Sequence, residues 1–376
     1  MAASGLFQER PPSFAKSYDV NAKGSIQTVA LRCAPETVPG PPSGFVQCWE
    51  APKGVSVTEC GQQARGLIDR QLKHGGALLL QSLPIVDNQA EAEKFVEALG
   101  YRQLKYEPFG FMRRKVGKLD AATNVPAANI LPVHNEMSYN VHASKKVLLL
   151  CLRAAKRGGE NLLASNAEMT SYIPPEILWK FDDKGGIRYT RQYIQEGGPL
   201  QQCKDAVTQS DFISWKTRTG ADTIEEAAQY WRDLGFTEVS HDAEGTLTVA
   251  NTQPACIAGP SGAPLFFNFA SKAGSALPDN VPFHITYGDG EAIEQETVEA
   301  LVKAEWRASC AVPVPSGSML VLDNFQWSCH CEHSQQIEIR CFGRAAGCFS
   351  VAFNTQARYS GAFAAPVAIG QHEYCN

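Results

Sequence analysis

At 376 residues, 44% hydrophobic and 19% charged, the chain has the make-up of a globular protein with a sizeable core. Its 34 basic and 39 acidic side chains leave a net charge of −5 with no long basic run, which argues against nucleic acid as a partner. No apolar window is long enough to span a bilayer, and the first residues lack a charged segment ahead of a long apolar run. Neither a membrane span nor a secretory signal is expected.

The twelve cysteines are scattered and include no Cys-x-x-Cys pair. That pattern suits reduced thiols packed as small hydrophobes in an intracellular, cytoplasmic protein, and it provides no structural zinc site.

Residues 1–45, rich in Pro, Ser, Gly and Ala, read as a loosely packed arm, and residues 46–376 as one domain. Gly76 to Leu83 is a short apolar run after glycines, a buried strand. Asp87 or Asn88 caps a helix carrying Ala92, Phe95, Val96 and Leu99, which Gly100 stops. Lys146 to Leu152 is a second buried strand. Pro174-Pro175-Glu176 opens a helix, because proline fits the first turn.

Gly186 to Tyr193 alternates as a strand does, and residues 194–222, polar and rich in Gly and Gln, form an excursion suited to a lid. Thr223 and Glu226 make a capping box ahead of a helix with Ile224, Ala227, Ala228 and Trp231 on one stripe. Strands at 247–249 and 265–269, a helix near 297–306, and strands near 318–322, 336–342 and 348–354 complete the chain. Many short strands with few helices predict a mainly β fold with flanking helices around a jelly-roll (double-stranded β-helix) core.

Within this pattern the stretch Leu131 to Tyr139 carries His134 and Glu136, two residues apart in a segment that reads as extended. On a strand, such residues share a face. A neutral imidazole and a carboxylate on one face suit a ferrous site of the two-His, one-carboxylate type, which needs a second His from elsewhere. A late apolar strand runs into Asp323-Asn324 and on to His330, with Arg340 and Arg344 beyond it. Guanidinium can clamp the far carboxylate of a chelated 2-oxo acid with two parallel bonds, which lysine cannot do.

The His134-x-Glu136 pair, Gly158-Gly159-Glu160, the Leu322-Asp323-Asn324…His330 stretch and Arg344 resemble the Fe(II)/2-oxoglutarate dioxygenases of the taurine dioxygenase (TauD/TfdA) and clavaminate synthase-like superfamily. The resemblance runs from about Gly76 to about Asn354. It implies Fe(II) held by His134, Glu136 and His330, and 2-oxoglutarate gripped by Arg344, with Asn161 and Arg340 as further contacts. O2 is then the oxidant, and an unactivated C–H of a small-molecule substrate is attacked.

Two departures stand out. Asn161 replaces the Thr that relatives place after Gly-Gly-Glu. Five residues rather than four separate Asp-Asn from His, which leaves Cys329 where simple counting expects the ligand. Strand alternation would turn Cys329 and Cys331 away from His330, and His333 is the reserve ligand. Asn135, Tyr139, Asn140, Arg191 and Asn268 are the candidate substrate contacts.

The expected outcomes are hydroxylation, desaturation or oxidative ring closure of a carboxylate-bearing or amino-acid-derived metabolite, as in biosynthetic members such as kainoid synthases. A catalytically silent jelly-roll that binds a ligand, and a zinc hydrolase on the same fold, are the competing readings.

Overall fold

Alternate residues of the run Lys146–Cys151 (β5) belong to different cores, and that division organises the molecule. The computed structural model describes residues 33–102, 115–121, 133–154, 160–198, 213–273, 282–331 and 348–353. Strands β1 (Val46–Glu50), β2 (Ala77–Gln81), β3 (Lys115–Val116) and β4 (Leu119–Ala121) join β5 and the late strands β14 (Ser318–Asp323) and β16 (Cys348–Phe353) in one sheet. Its order is β1-β2-β14-β5-β16-β4-β3. Only the β1–β2 pairing is parallel.

On one face Leu78, Leu80, Leu148, Leu150, Met319 and Val321 pack under the helices Val57–Gln71 and Gln89–Ala98. On the other, Ala77, Leu79, Val147, Leu149, Leu320 and Leu322 meet Leu163, Cys310, Val312 and Cys329 of a second sheet. That sheet is built from β6 (Asn161–Ser165), β13 (Ser309–Val312) and β15 (Trp327–Cys331), in the order β13-β6-β15. Two sheets, antiparallel apart from the β1–β2 pair, enclose an apolar interior and form the jelly-roll core, and burial on both faces explains the unbroken apolar runs of β2, β5 and β14.

The outer face of the small sheet (Leu162, Ala164, Ala311) packs on the helix Gln295–Ala308. The same cluster takes in a third sheet, in the order β12-β7-β9-β8, from β7 (Ile187–Tyr193), β8 (Glu238–His241), β9 (Leu247–Gln253) and β12 (Phe283–Tyr287). A short hairpin of β10 (Cys256–Ala258) and β11 (Pro264–Phe266) completes the strands, so the expected 265–269 strand ends at Phe266.

The capping box at Thr223 forms as the sequence requires and starts the helix Ile224–Asp233, whose Trp231 is fully buried. Asn88 caps its helix through the Glu91 amide. Gly76 has φ +85°, and a Cβ there would lie 2.7 Å from the Phe45 carbonyl oxygen, so glycine lets β2 approach β1.

The arm expected up to residue 45 is corrected at its end. Val38 is buried, Ala311 donates its amide to the Pro39 carbonyl, and Phe45 stacks on Trp327. The base of the proposed lid is closed onto the core by a parallel bridge between Ile194 and Ser214, followed by the short helix Trp215–Thr219. Residues 199–212 and the expected 336–342 strand lie outside the described residues. No helix among the described residues is long and apolar enough to cross a membrane. Cys48, Cys60, Cys256 and Cys310 are free thiols.

Candidate metal centre

His134 is extended, but the strand predicted around it does not continue. A single antiparallel bridge joins it to Cys329 of β15: His134 N–H donates to the Cys329 carbonyl at 3.3 Å, and Cys329 N–H to the His134 carbonyl at 3.0 Å. The chain then turns over Glu136–Tyr139, with Met137 in the left-handed region at φ 60°. The same-face argument for His134 and Glu136 is therefore corrected. Alternation does not bring the pair together.

A bracket from β14's end instead holds the Glu136 turn. Asn324, fully buried, accepts the Glu136 amide through Oδ1 at 2.8 Å and donates Nδ2 to the Glu136 carbonyl at 2.8 Å and the Ser144 carbonyl at 2.7 Å. Asn135 returns the favour, donating Nδ2 to the carbonyls of Asn324 at 2.8 Å and Trp327 at 3.3 Å. Glu136 is buried at 6% exposure, so its carboxylate is screened from bulk water. The His134 imidazole is half-buried and stands edge-on to Phe269, with ring centroids 4.9 Å apart.

Tyr139 packs its ring against Tyr189, Phe269 and Phe283. Asn268 uses its amide on backbone, donating to Ala255 and accepting from Ala270. The buried Asn140 side-chain amide has no hydrogen-bond partner among the described residues. Arg191 is buried on β7, two residues along the same face from Tyr189, whose hydroxyl accepts the Phe269 amide.

Register fixes the rest of the small sheet. Cys329 stands opposite Leu163, His330 opposite Leu162, and Asn161 opposite Cys331 and Val312. Leu163 faces the jelly-roll interior, whereas Leu162 belongs to the outer cluster. Asn161, buried and two residues from Leu163, shares Leu163's face of β6. The structure thus pairs Cys329 with His134 and sets His330 at the next position of β15. The side chain of His330 and the whole of His333, Arg340 and Arg344 lie outside the described residues. Among the described residues no three His, Cys, Asp or Glu side chains gather tightly enough to hold an ion by themselves.

Sequence reasoning missed two supports, the Asn324 bracket and a buried Lys272–Glu305 pair whose ammonium donates to the Val133 carbonyl at 2.7 Å. Asn324 was visible as part of a motif. Lys272 gave no signal, because its partners are remote in sequence.

Residues 38–330 match the model of the taurine catabolism dioxygenase TauD, TfdA family. The dapdiamide synthesis protein DdaC of Enterobacter agglomerans is 26% identical over 276 residues, covering 68% of this chain and 78% of that protein. A clavaminate synthase-like protein of Arabidopsis thaliana is 24% identical, covering 69% and 78%. Among solved structures, PvcB of Pseudomonas aeruginosa aligns over 84% of this chain and 87% of its own, at 14% identity and a TM-score of 0.44.

Proposed function

Because the chain belongs to the TauD/TfdA family of dioxygenases, oxidoreductases that use Fe(II), 2-oxoglutarate and O2, we propose that His134, Glu136 and His330 are its iron ligands and that its substrate is a small, carboxylate-bearing or amino-acid-derived metabolite. The observation that carries the ligand reading is the Asn324 bracket together with the His134–Cys329 bridge. These set a buried carboxylate and an imidazole beside the strand that carries the late histidine. The donor set suits ferrous iron, which takes imidazole and carboxylate together and keeps positions open for co-substrate.

When bound, iron with 2-oxoglutarate and O2 supplies the oxidation of a C–H bond, with succinate and CO2 as co-products. The chain's own residues bind and orient. Arg344 and Arg340 lie beyond β15 in sequence, where a guanidinium would clamp the distal carboxylate of 2-oxoglutarate. Asn161, where relatives carry Thr, would donate its amide to the same group in place of a hydroxyl. The Asn140 amide, buried without a described partner beside the Glu136 turn, would receive a polar substrate group. Arg191 would offer its guanidinium to a substrate carboxylate, and Tyr139 with the aromatic rings around it would exclude water. Asn135 and Asn268 act on backbone, holding the walls.

A second reading of the third ligand is favoured by one observation, the direct pairing of His134 with Cys329. We place His330 ahead of it because imidazole, not thiolate, completes the donor set of this chemistry. Anaerobic titration with Fe(II) and 2-oxoglutarate tests the proposal. A weak visible charge-transfer band, followed by succinate when air is admitted, is the expected result; neither band nor succinate from iron-loaded protein would overturn it. Product mass over a panel of amino-acid derivatives then separates gain of oxygen from loss of two hydrogens.

A further inference from the structure

Lys272 ends a short 3-10 turn, Ala270–Lys272, and its side chain is 3% exposed. Its ammonium donates to the Val133 carbonyl at 2.7 Å and to Ser271 Oγ at 2.6 Å, and lies 3.6 Å from Oε1 of Glu305, itself buried on the helix Gln295–Ala308. Burial is the main influence on both groups, lowering Lys272 to about 8 and raising Glu305. A buried ion pair is a poor stabiliser. Apolar residues of similar volume usually serve a core as well or better, because two charges must be stripped of water.

Where the ammonium ends is more telling. Val133 immediately precedes His134, and the segment carrying Lys272 also carries Phe269, whose ring stands against the His134 imidazole. One short segment therefore touches the motif twice, on the ring of His134 and on the carbonyl before it. Further anchors of the motif include the bridge to Cys329, the Asn324 bracket and an Asn251 donation to the Tyr139 carbonyl at 3.0 Å. The bridge and the bracket come from β14–β15 and the Asn251 bond from β9, whereas Lys272 comes from the 270–272 turn packed against the helix Gln295–Ala308.

We propose that Lys272, held by Glu305, is a positioning residue that fixes the backbone ahead of His134 and so aims its imidazole at the metal. This rests on the reading of His134 as a ligand. Without the ammonium, Val133 loses its anchor and the imidazole gains freedom that metal binding must remove.

The test uses Co(II), an air-stable stand-in for Fe(II), with affinity by calorimetry and geometry from the visible spectrum of the bound ion. The double variant Lys272→Met/Glu305→Leu removes the pair without leaving a buried charge. It is expected to keep its thermal midpoint and to lose at least about tenfold in Co(II) affinity, as loss of a ligand-orienting contact does, with an altered spectrum. Lys272→Arg, which keeps a cationic donor, is expected to hold Co(II) nearer to the parent affinity. A folded double variant with parent affinity and spectrum overturns the proposal, because a merely structural pair would leave both unmoved. If the double variant fails to fold, Lys272→Met/Glu305→Gln, which also removes the ammonium and leaves no buried charge, takes its place with the same two outcomes. Parent protein that binds no Co(II) removes His134 as a ligand, and this proposal with it. That result is distinct from a parent that binds and a variant that binds equally well.

Discussion

Asn324 and Glu136, 188 residues apart, form a closed two-bond pair: the Glu136 amide donates to the Asn324 side chain, which donates back to the Glu136 carbonyl, each at 2.8 Å. The contact is fully buried, so removing it strands backbone groups that have no water to turn to. Asn324→Ala is expected to cost about 2–4 kcal/mol of stability, from more than one unmade buried hydrogen bond. Asn324→Asp replaces a donor by an acceptor facing the carbonyls of Glu136 and Ser144, and is expected to cost as much despite its equal size. Urea unfolding measures both losses. A loss below about 0.5 kcal/mol in either, the range of an ordinary surface change, would show that the bracket is dispensable.

The third ligand separates by spectroscopy. With Co(II) bound, His330→Ala is expected to lower affinity at least about tenfold, whereas Cys329→Ser leaves it near the parent value. A sulfur-to-cobalt band in the near ultraviolet that disappears in Cys329→Ser, with binding retained in His330→Ala, would transfer the position to Cys329. That outcome would follow the strand register rather than the resemblance.

Co-substrate contacts predict a split in kinetic constants. Arg344→Lys is expected to raise KM for 2-oxoglutarate by about tenfold or more, because an ammonium cannot make the two parallel bonds of a guanidinium. Asn161→Thr, which installs the hydroxyl found in relatives, is expected to keep KM within about threefold, a difference of well under 1 kcal/mol. Succinate release against 2-oxoglutarate concentration reads both. An unchanged KM in Arg344→Lys would remove that arginine from the site.

Far from the site, Glu294 precedes the helix Gln295–Ala308, and its carboxyl is held down at about 2, first by Lys180 and then by the Tyr287 hydroxyl. A depressed carboxyl contributes stability that is fully present above the unfolded-state value near 4.5 and is lost as pH falls through about 2. Glu294→Gln is therefore expected to be less stable than the parent at neutral pH, with the gap closing towards pH 2. Since both side chains are about 40% exposed, solvent screening keeps the gap under about 1 kcal/mol. Thermal unfolding across that range checks it, and a gap that widens in acid would contradict the assignment.

The amino-acid sequence by itself determined the parts whose causes are local. The capping box at Thr223, the cap at Asn88, the doubly buried runs of β5 and β14 and the alternation of β7 follow from residues within a few positions of one another. The order of the motif pieces was likewise legible, and with it the family. Tertiary structure decided what depends on register between distant segments. It made Cys329 rather than His330 the partner of His134, bent the chain at Glu136 where a strand was expected, and sent the Lys272 ammonium to the Val133 carbonyl. The physical reason is that a strand's pattern tells which residues share a face but not which residue of another strand stands opposite. One step of register exchanges the two faces, and only the packed sheets choose between them.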